Sequence, residues 1–143
     1  MKTKNAHELA TQLRPVLTRL VRKMRKLSPV GGLLSQTERS VLVVLEHQEL
    51  LAAELAVMEK ITPQSMGQVI SKLSTLNLIT KRSSEQDKRK IYLSISATGR
   101  EMIQQVRNDR DEWLAKALEE VCSSDELAIL EAAIAPMAKL VDF

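Results

Sequence analysis

Apolar residues recur at helical spacing along most of this chain and alternate in one short stretch near its middle. In residues 6–27, Leu9, Leu13, Val16, Leu20 and Leu27 fall three, four or seven apart, with Met24 nearby, and this stripe predicts a helix. Pro15 lies inside it and has no backbone donor to give, so a bend or a late start is expected there. Ser28-Pro29-Val30-Gly31-Gly32 ends the helix. Ser35-Gln36-Thr37-Glu38 has the pattern in which a hydroxyl and a carboxylate satisfy each other's free amides. It predicts a second helix to about His47, with Val41, Leu42, Val44 and Leu45 inward. A short helix is predicted over residues 50–58, where Leu51, Leu55 and Met58 are apolar. Ile61-Thr62-Pro63 opens another, with Thr62 as N-cap and Pro63 at the first helical position, where no amide is needed. That helix reaches about Leu76, and Asn77 suits a left-handed C-cap.

Residues 78–82 and 91–95 read as strands, the second alternating Ile91, Leu93 and Ile95, and the polar stretch 83–90 between them as a hairpin tip. A long helix over 97–121 sets Val106, Trp113, Ala117 and Val121 along one side. Ser123-Ser124-Asp125-Glu126 caps a last helix, whose Leu127, Leu130, Ile134, Met137 and Val141 keep three-four spacing, and Pro136 predicts a local kink. The order is mainly α with a small β-hairpin wing, α-α-α-α-β-β-α-α, a winged helix-turn-helix. It divides into an N-terminal helix and connection (1–34), the winged helix-turn-helix (35–96) and C-terminal helices (97–143). The terminal stripes exceed what one small winged domain can cover, so a two-fold pairing of two copies is expected to bury Leu9, Leu13 and Val16 with Leu127, Leu130, Ile134, Met137 and Val141.

Charge sharpens the picture through its distribution. Residues 1–28 carry net +7, 29–59 net −4, 60–90 net +5 and 91–143 net −5 on a chain of net +3. Two basic segments on a nearly balanced chain point to a localised anionic partner. The second contains residues 62–76. At about 100° per residue, Gln64, Ser65, Gln68, Ser71, Lys72 and Thr75 share one face, and Met66, Val69, Ile70, Leu73 and Leu76 take the other. The polar face holds amides, hydroxyls and one lysine but no carboxylate. Such a face can read the major groove. Gln pairs with adenine, Ser and Thr bond several base edges, and Lys72 supplies phosphate attraction. With the N-terminus in the groove, Thr62 and Pro63 lie against the DNA as well. Lys88, Arg89 and Lys90 at the hairpin tip would reach phosphates or a narrow minor groove, and Asp87 would pair with Arg89 to hold the tip.

These residues resemble the MarR family of bacterial regulators. The resemblance is carried by Leu55-Ala56, by Thr62-Pro63-Gln64-Ser65-Met66, and by Leu73 with Leu76-Asn77-Leu78-Ile79. Asp87-Lys88-Arg89 and Ile95-Ser96-Ala97-Thr98-Gly99 extend it over nearly the whole chain. Asn77 stands where the family usually has Gly, and Ile95-Ser96 where it commonly has Leu-Thr. The resemblance implies a homodimer on a pseudo-palindromic double-stranded operator. It also implies a repressor released by a small apolar or phenolic effector, or by cysteine oxidation, with the effector pocket between the first, second and long 97–121 helices.

Other chemistry is thinly represented. His7 and His47 sit in no metal-spaced cluster and no glycine loop cradles a phosphate, so no enzyme, cofactor or metal is expected. Cys122 is the one cysteine, which suits a reducing compartment, and acidic neighbours argue against a reactive thiolate. No apolar run approaches the roughly 20 residues of a membrane span, and no secretory leader is recognisable, so a cytoplasmic location is expected. A winged-helix module for protein contacts and a redox regulator using Cys122 are the alternative readings.

Overall fold

The computed structural model describes residues 2–27 and 31–143. Among them the chain forms α1 (Lys2–Arg25), a single 3-10 turn (Gly31–Leu33), α2 (Gln36–Leu45), β1 (Leu50–Leu51), α3 (Ala52–Glu59) and α4 (Pro63–Thr75). Then follow β2 (Ile79–Ser83), β3 (Ile91–Ile95), α5 (Ala97–Val121) and α6 (Ser124–Val141).

The helix starts follow from local chemistry. Ser35 Oγ accepts the Glu38 amide at 3.2 Å while Glu38 Oε1 accepts the Ser35 amide at 3.1 Å. Ser123 and Glu126 repeat the exchange at 3.2 and 2.8 Å. Asn77 takes a left-handed conformation (φ 59°), which its short polar side chain tolerates. Ser96 caps α5, and its hydroxyl donates to the Asn77 carbonyl at 2.7 Å, so the end of one helix is stitched to the start of another. Gly99 follows directly. A Cβ there would press on the Leu78 carbonyl and lie 2.8 Å from the Ile95 side chain, so the first turn of α5 sits on the sheet only because the residue is glycine.

Several elements depart from the sequence-based expectation. The first helix starts earlier than residue 6, ends at Arg25 and runs without interruption through Pro15, as α6 does through Pro136. One missing amide leaves the bonds on either side intact. The expected break after α1 lies partly at residues 28–30, outside the described residues. α2 stops at Leu45 rather than His47. The predicted helix 50–58 is divided, because Leu50 and Leu51 pair with Leu93 and Tyr92 as an extra antiparallel strand. The sheet order is therefore β1-β3-β2, with Ile79 opposite Ile95 and Ser83 opposite Ile91. Val44 is half-buried, and Val121 is exposed rather than on an inner side.

The core is aliphatic and central. Val41, Leu42 and Leu45 of α2 meet Leu55 and Ala56 of α3, Met66 and Leu73 of α4, and Leu78 and Leu93 of the sheet. Among the described residues none of α1 and none beyond Val106 is buried. Leu9, Val16, Leu130, Ile134 and Val141 are exposed, and Leu13 and Met137 half-buried. Exposed apolar side chains gathered along two helices are the kind of surface that marks an interaction site.

Candidate nucleic-acid interface

The recognition element begins at a tight corner. α3 ends at Lys60, whose left-handed conformation (φ 56°) reverses the chain, and the Ile61 amide bonds back to Ala56 at 3.1 Å. Thr62 Oγ1 accepts the Ser65 amide at 3.1 Å and donates to Ser65 Oγ at 3.0 Å, with Pro63 in the first turn. Met66, Ile70 and Leu73 lock the inner face of α4 into the core. Thr62, Pro63, Gln64, Ser65, Gln68, Ser71 and Lys72 all face solvent. The fold thus brings the expected reading face together as one polar surface whose own residues carry no carboxylate, with Glu38 of α2 beneath Lys72 at its edge and the positive end of the helix dipole at its leading edge.

Lys72 has a second engagement. Its ammonium lies 3.0 Å from Glu38 Oε1 and 3.1 Å from the Leu33 carbonyl, joining α4 to the start of α2. The Glu38 side chain is 7% exposed and that of Lys72 48%, so the acid is inside and the lysine half in water. Burial alone would raise the Glu38 pKa. The bonds from Lys72 and from the Ser35 amide and hydroxyl outweigh it and hold the carboxyl below its ordinary value. Glu38 Oε2 is buried and makes no hydrogen bond.

The wing is built on paired backbone and a knotted tip. Ser84 N bonds Lys90 O at 2.8 Å, and Lys90 N bonds Asp87 O at 3.0 Å. Asp87 Oδ1 accepts the Arg89 amide at 3.0 Å and its Nε at 3.4 Å, and the Arg89 side chain stays 92% exposed. Asp87 therefore shapes the turn, and Lys88, Arg89 and Lys90 project from it. At the wing's base Arg82 stacks on Tyr92 at 4.9 Å and forks onto Glu49 at 2.7 and 3.4 Å. β1, which leads directly into α3, pairs with β3, so the wing's sheet is joined to the start of the helix-turn-helix.

A cleft of about 470 Å³ opens behind this surface, between α1, α2 and α5. Its apolar walls are Met24, Val43, Val44, Ile103 and Val106. Arg25, Arg39, Arg107 and Arg110 also line it, and sequence reasoning named none of them. One signal was available: Arg107 and Arg110 interrupt the helical stripe that Ile103 and Val106 begin. Arg107 forks onto Glu46 at 2.6 and 3.0 Å, and those bonds lower the Glu46 pKa. Arg100 adds a bond to the Glu46 carbonyl at 3.1 Å. Cys122 is half-buried at the end of α5. Among the described residues no cluster could hold a metal ion, and no helix is long and apolar enough to cross a membrane.

Comparison with known proteins agrees with this geometry. A family model described as MarR family matches residues 33–90. An HTH-type transcriptional regulator of Mycobacterium tuberculosis is 32% identical over 135 residues, spanning 94% of this chain and 93% of the relative. A Pseudomonas aeruginosa protein of known crystal structure superimposes with a TM-score of 0.81 at 25% identity, covering 96% of this chain and 97% of that one. A mutant of S. aureus MepR bound to an oligodeoxyribonucleotide matches with a TM-score of 0.71 at 15% identity, over 92% of this chain and 96% of its own.

Proposed function

The chain belongs to the MarR family, a DNA-binding transcriptional regulator by descent, and from that premise we propose that it is a homodimeric repressor of a pseudo-palindromic operator, released by a small molecule. One observation carries the reading: the solvent face of α4, free of carboxylates, is followed directly by a basic wing whose first strand, β2, packs against α4. In this reading Gln64, Gln68, Ser65 and Ser71 meet base edges, and Lys88, Arg89 and Lys90 meet phosphates or the minor groove. The uncovered apolar faces of α1 and α6 support the dimer. Joined two-fold through them, two copies would set their recognition helices about 34 Å apart, one turn of DNA. The cleft between α1, α2 and α5 is where an effector would act, because it lies between the helices that dimerise and the helix that carries the core of the DNA-binding domain. The cytoplasm, where Cys122 would stay reduced, is the setting this function needs.

Genomic footprinting with the purified protein tests the proposal, with protected sites expected to be inverted repeats. On a recovered site, Gln64→Ala should change base preference at one position in each half. Arg89→Ala should weaken all sites alike and flatten the salt dependence by about one unit of log–log slope. Specific binding that survives both changes unaltered would place the reading surface elsewhere.

A further inference from the structure

An acid stands in the wall of the surface assigned to DNA. A groove of about 350 Å³ runs between the start of α2 and the outer face of α4, with Thr37 and Glu38 on one side and Ser65, Gln68 and Lys72 on the other. Lys72 is the one cation of α4, and its ammonium is held from two directions, by Glu38 Oε1 at 3.0 Å and by the Leu33 carbonyl at 3.1 Å. The wing has an acid–base pair of the opposite kind. Arg89 Nε lies 3.4 Å from Asp87 Oδ1, the two side chains are 92% and 36% exposed, and the cation can swing out at little cost. Glu38 lies inside, 7% exposed. Its Oε2 is buried without a hydrogen-bond partner, so loss of Lys72 would strand the charge within the fold. A carboxylate stranded inside a protein costs far more than one stranded in water, so Lys72 gives up more by leaving than a screened contact with a phosphate returns.

Resting on the reading of α4 as the helix that enters the major groove, we propose that Glu38 is a positioning residue that weakens sequence-independent DNA binding by withholding Lys72 from the phosphates. Attraction to the backbone is blind to sequence and grows with every cation that reaches a phosphate. The base-reading residues Gln64, Ser65, Gln68 and Ser71 are neutral and take no part in the pair. Glu38 therefore shifts the reading surface from charge toward hydrogen bonding. It leaves the backbone attraction to Lys88, Arg89 and Lys90 of the wing, and every duplex, operator or not, is held less tightly than the cations of this face would allow.

Fluorescence anisotropy on the full chain tests this with an operator recovered by footprinting and a scrambled duplex of equal length, between about 50 and 200 mM salt. The proteins are the wild type, E38Q, K72M and E38Q/K72M. Glutamine still accepts the Ser35 amide, so the cap of α2 is kept while the charge is removed. E38Q is expected to bind the scrambled duplex roughly three- to eightfold tighter at about 0.1 M salt, with a log K–log salt slope steeper by up to about 0.9, and to show the same change of slope on the operator. K72M and E38Q/K72M should share the wild-type slope, because without Lys72 there is nothing to release. Gln64→Ala, measured alongside, should alter operator binding alone. If E38Q does not fold, E38D keeps the charge but draws it back by one methylene, and its slope should also steepen. The proposal is overturned if E38Q keeps the wild-type slope on the scrambled duplex while Q64A alters operator binding. It is equally overturned if E38Q/K72M is steeper than K72M by as much as E38Q is steeper than the wild type, since the lost charge would then act at a distance and not through Lys72. If neither Q64A nor E38Q changes binding, α4 is not the reading helix and the proposal falls with that reading.

Discussion

Replacing Lys72 with methionine separates two roles that its ammonium could play. In the free protein it bridges Glu38 Oε1 at 3.0 Å and the Leu33 carbonyl at 3.1 Å, while the sequence alone assigns it to a phosphate. Methionine keeps the aliphatic stem and removes the charge. Glu38 then loses a charged donor inside the fold, where its other oxygen already has no partner. A hydrogen bond to a charged group contributes about 1.5–3 kcal/mol, and with the Lys72 side chain 48% exposed the solvent-screened share is about 1–2 kcal/mol. For a chain of this size that corresponds to a fall in Tm of roughly 3–8 °C. Circular dichroism melts of the wild type, K72M, E38Q and the double variant measure it, and the double variant should lose less than the two singles together. Duplex binding by fluorescence anisotropy between about 50 and 200 mM salt gives the second readout, and the slope of log K against log salt should be that of the wild type. An unchanged Tm with a slope shallower by about 0.9 would refute the reasoning and return Lys72 to the phosphates.

Two further outcomes follow from the same geometry. Bonds from Arg107 hold the Glu46 pKa below its ordinary 4.5, so the stability they add is present at neutral pH and is lost as the pH falls through the lowered folded value. The wild-type Tm should therefore decline below about pH 5, and Glu46→Gln should start lower at neutral pH and decline less, which melts at stepped pH would record. Leu130→Asp places a charge on the exposed stripe of α6 and should give monomers by light scattering with much weaker operator binding; a variant that stays dimeric would dismiss α6 as the interface.

What could be read in the chain beforehand was whatever neighbours in sequence decide. Ser35 with Glu38, Thr62 with Pro63, and Ser123 with Glu126 each complete a cap within four residues, and each is found in place; Asn77 is left-handed as expected, but α4 stops at Thr75 and its C-cap is Leu76, one residue before. The two faces of α4 likewise follow from a single period. β1 was invisible because two leucines become a strand only when β3 lies alongside, more than forty residues later. Lys60 is a left-handed residue of a type that seldom adopts that conformation, and the corner between two packed helices dictates it. The site divides the same way. The reading face and the Asp87–Arg89 contact are local, whereas the Glu38–Lys72 pair spans 34 positions. The arginines of the cleft come from three separate helices, and nothing in any one helix announces that they meet.

The placement of these long-range pairs makes α2 a lever. Glu46, just past its C-terminal end, is pinned to α5 through Arg107 and Arg100, and Glu38, near its other end, grips α4 through Lys72. The cleft opens along the span between them. A ligand that wedged it apart would not slide α2 bodily while the Glu46 bonds hold, and would turn the helix instead. From residue 38 to residue 46 the arm is roughly 12 Å at 1.5 Å per residue, and a tilt of about 5° swings its free end by about 1 Å. Through Lys72 such a swing would reach α4 directly. A displacement of that size is comparable to the tolerance of a hydrogen bond to a base edge, and in the proposed two-fold dimer it would be applied to both half-sites at once.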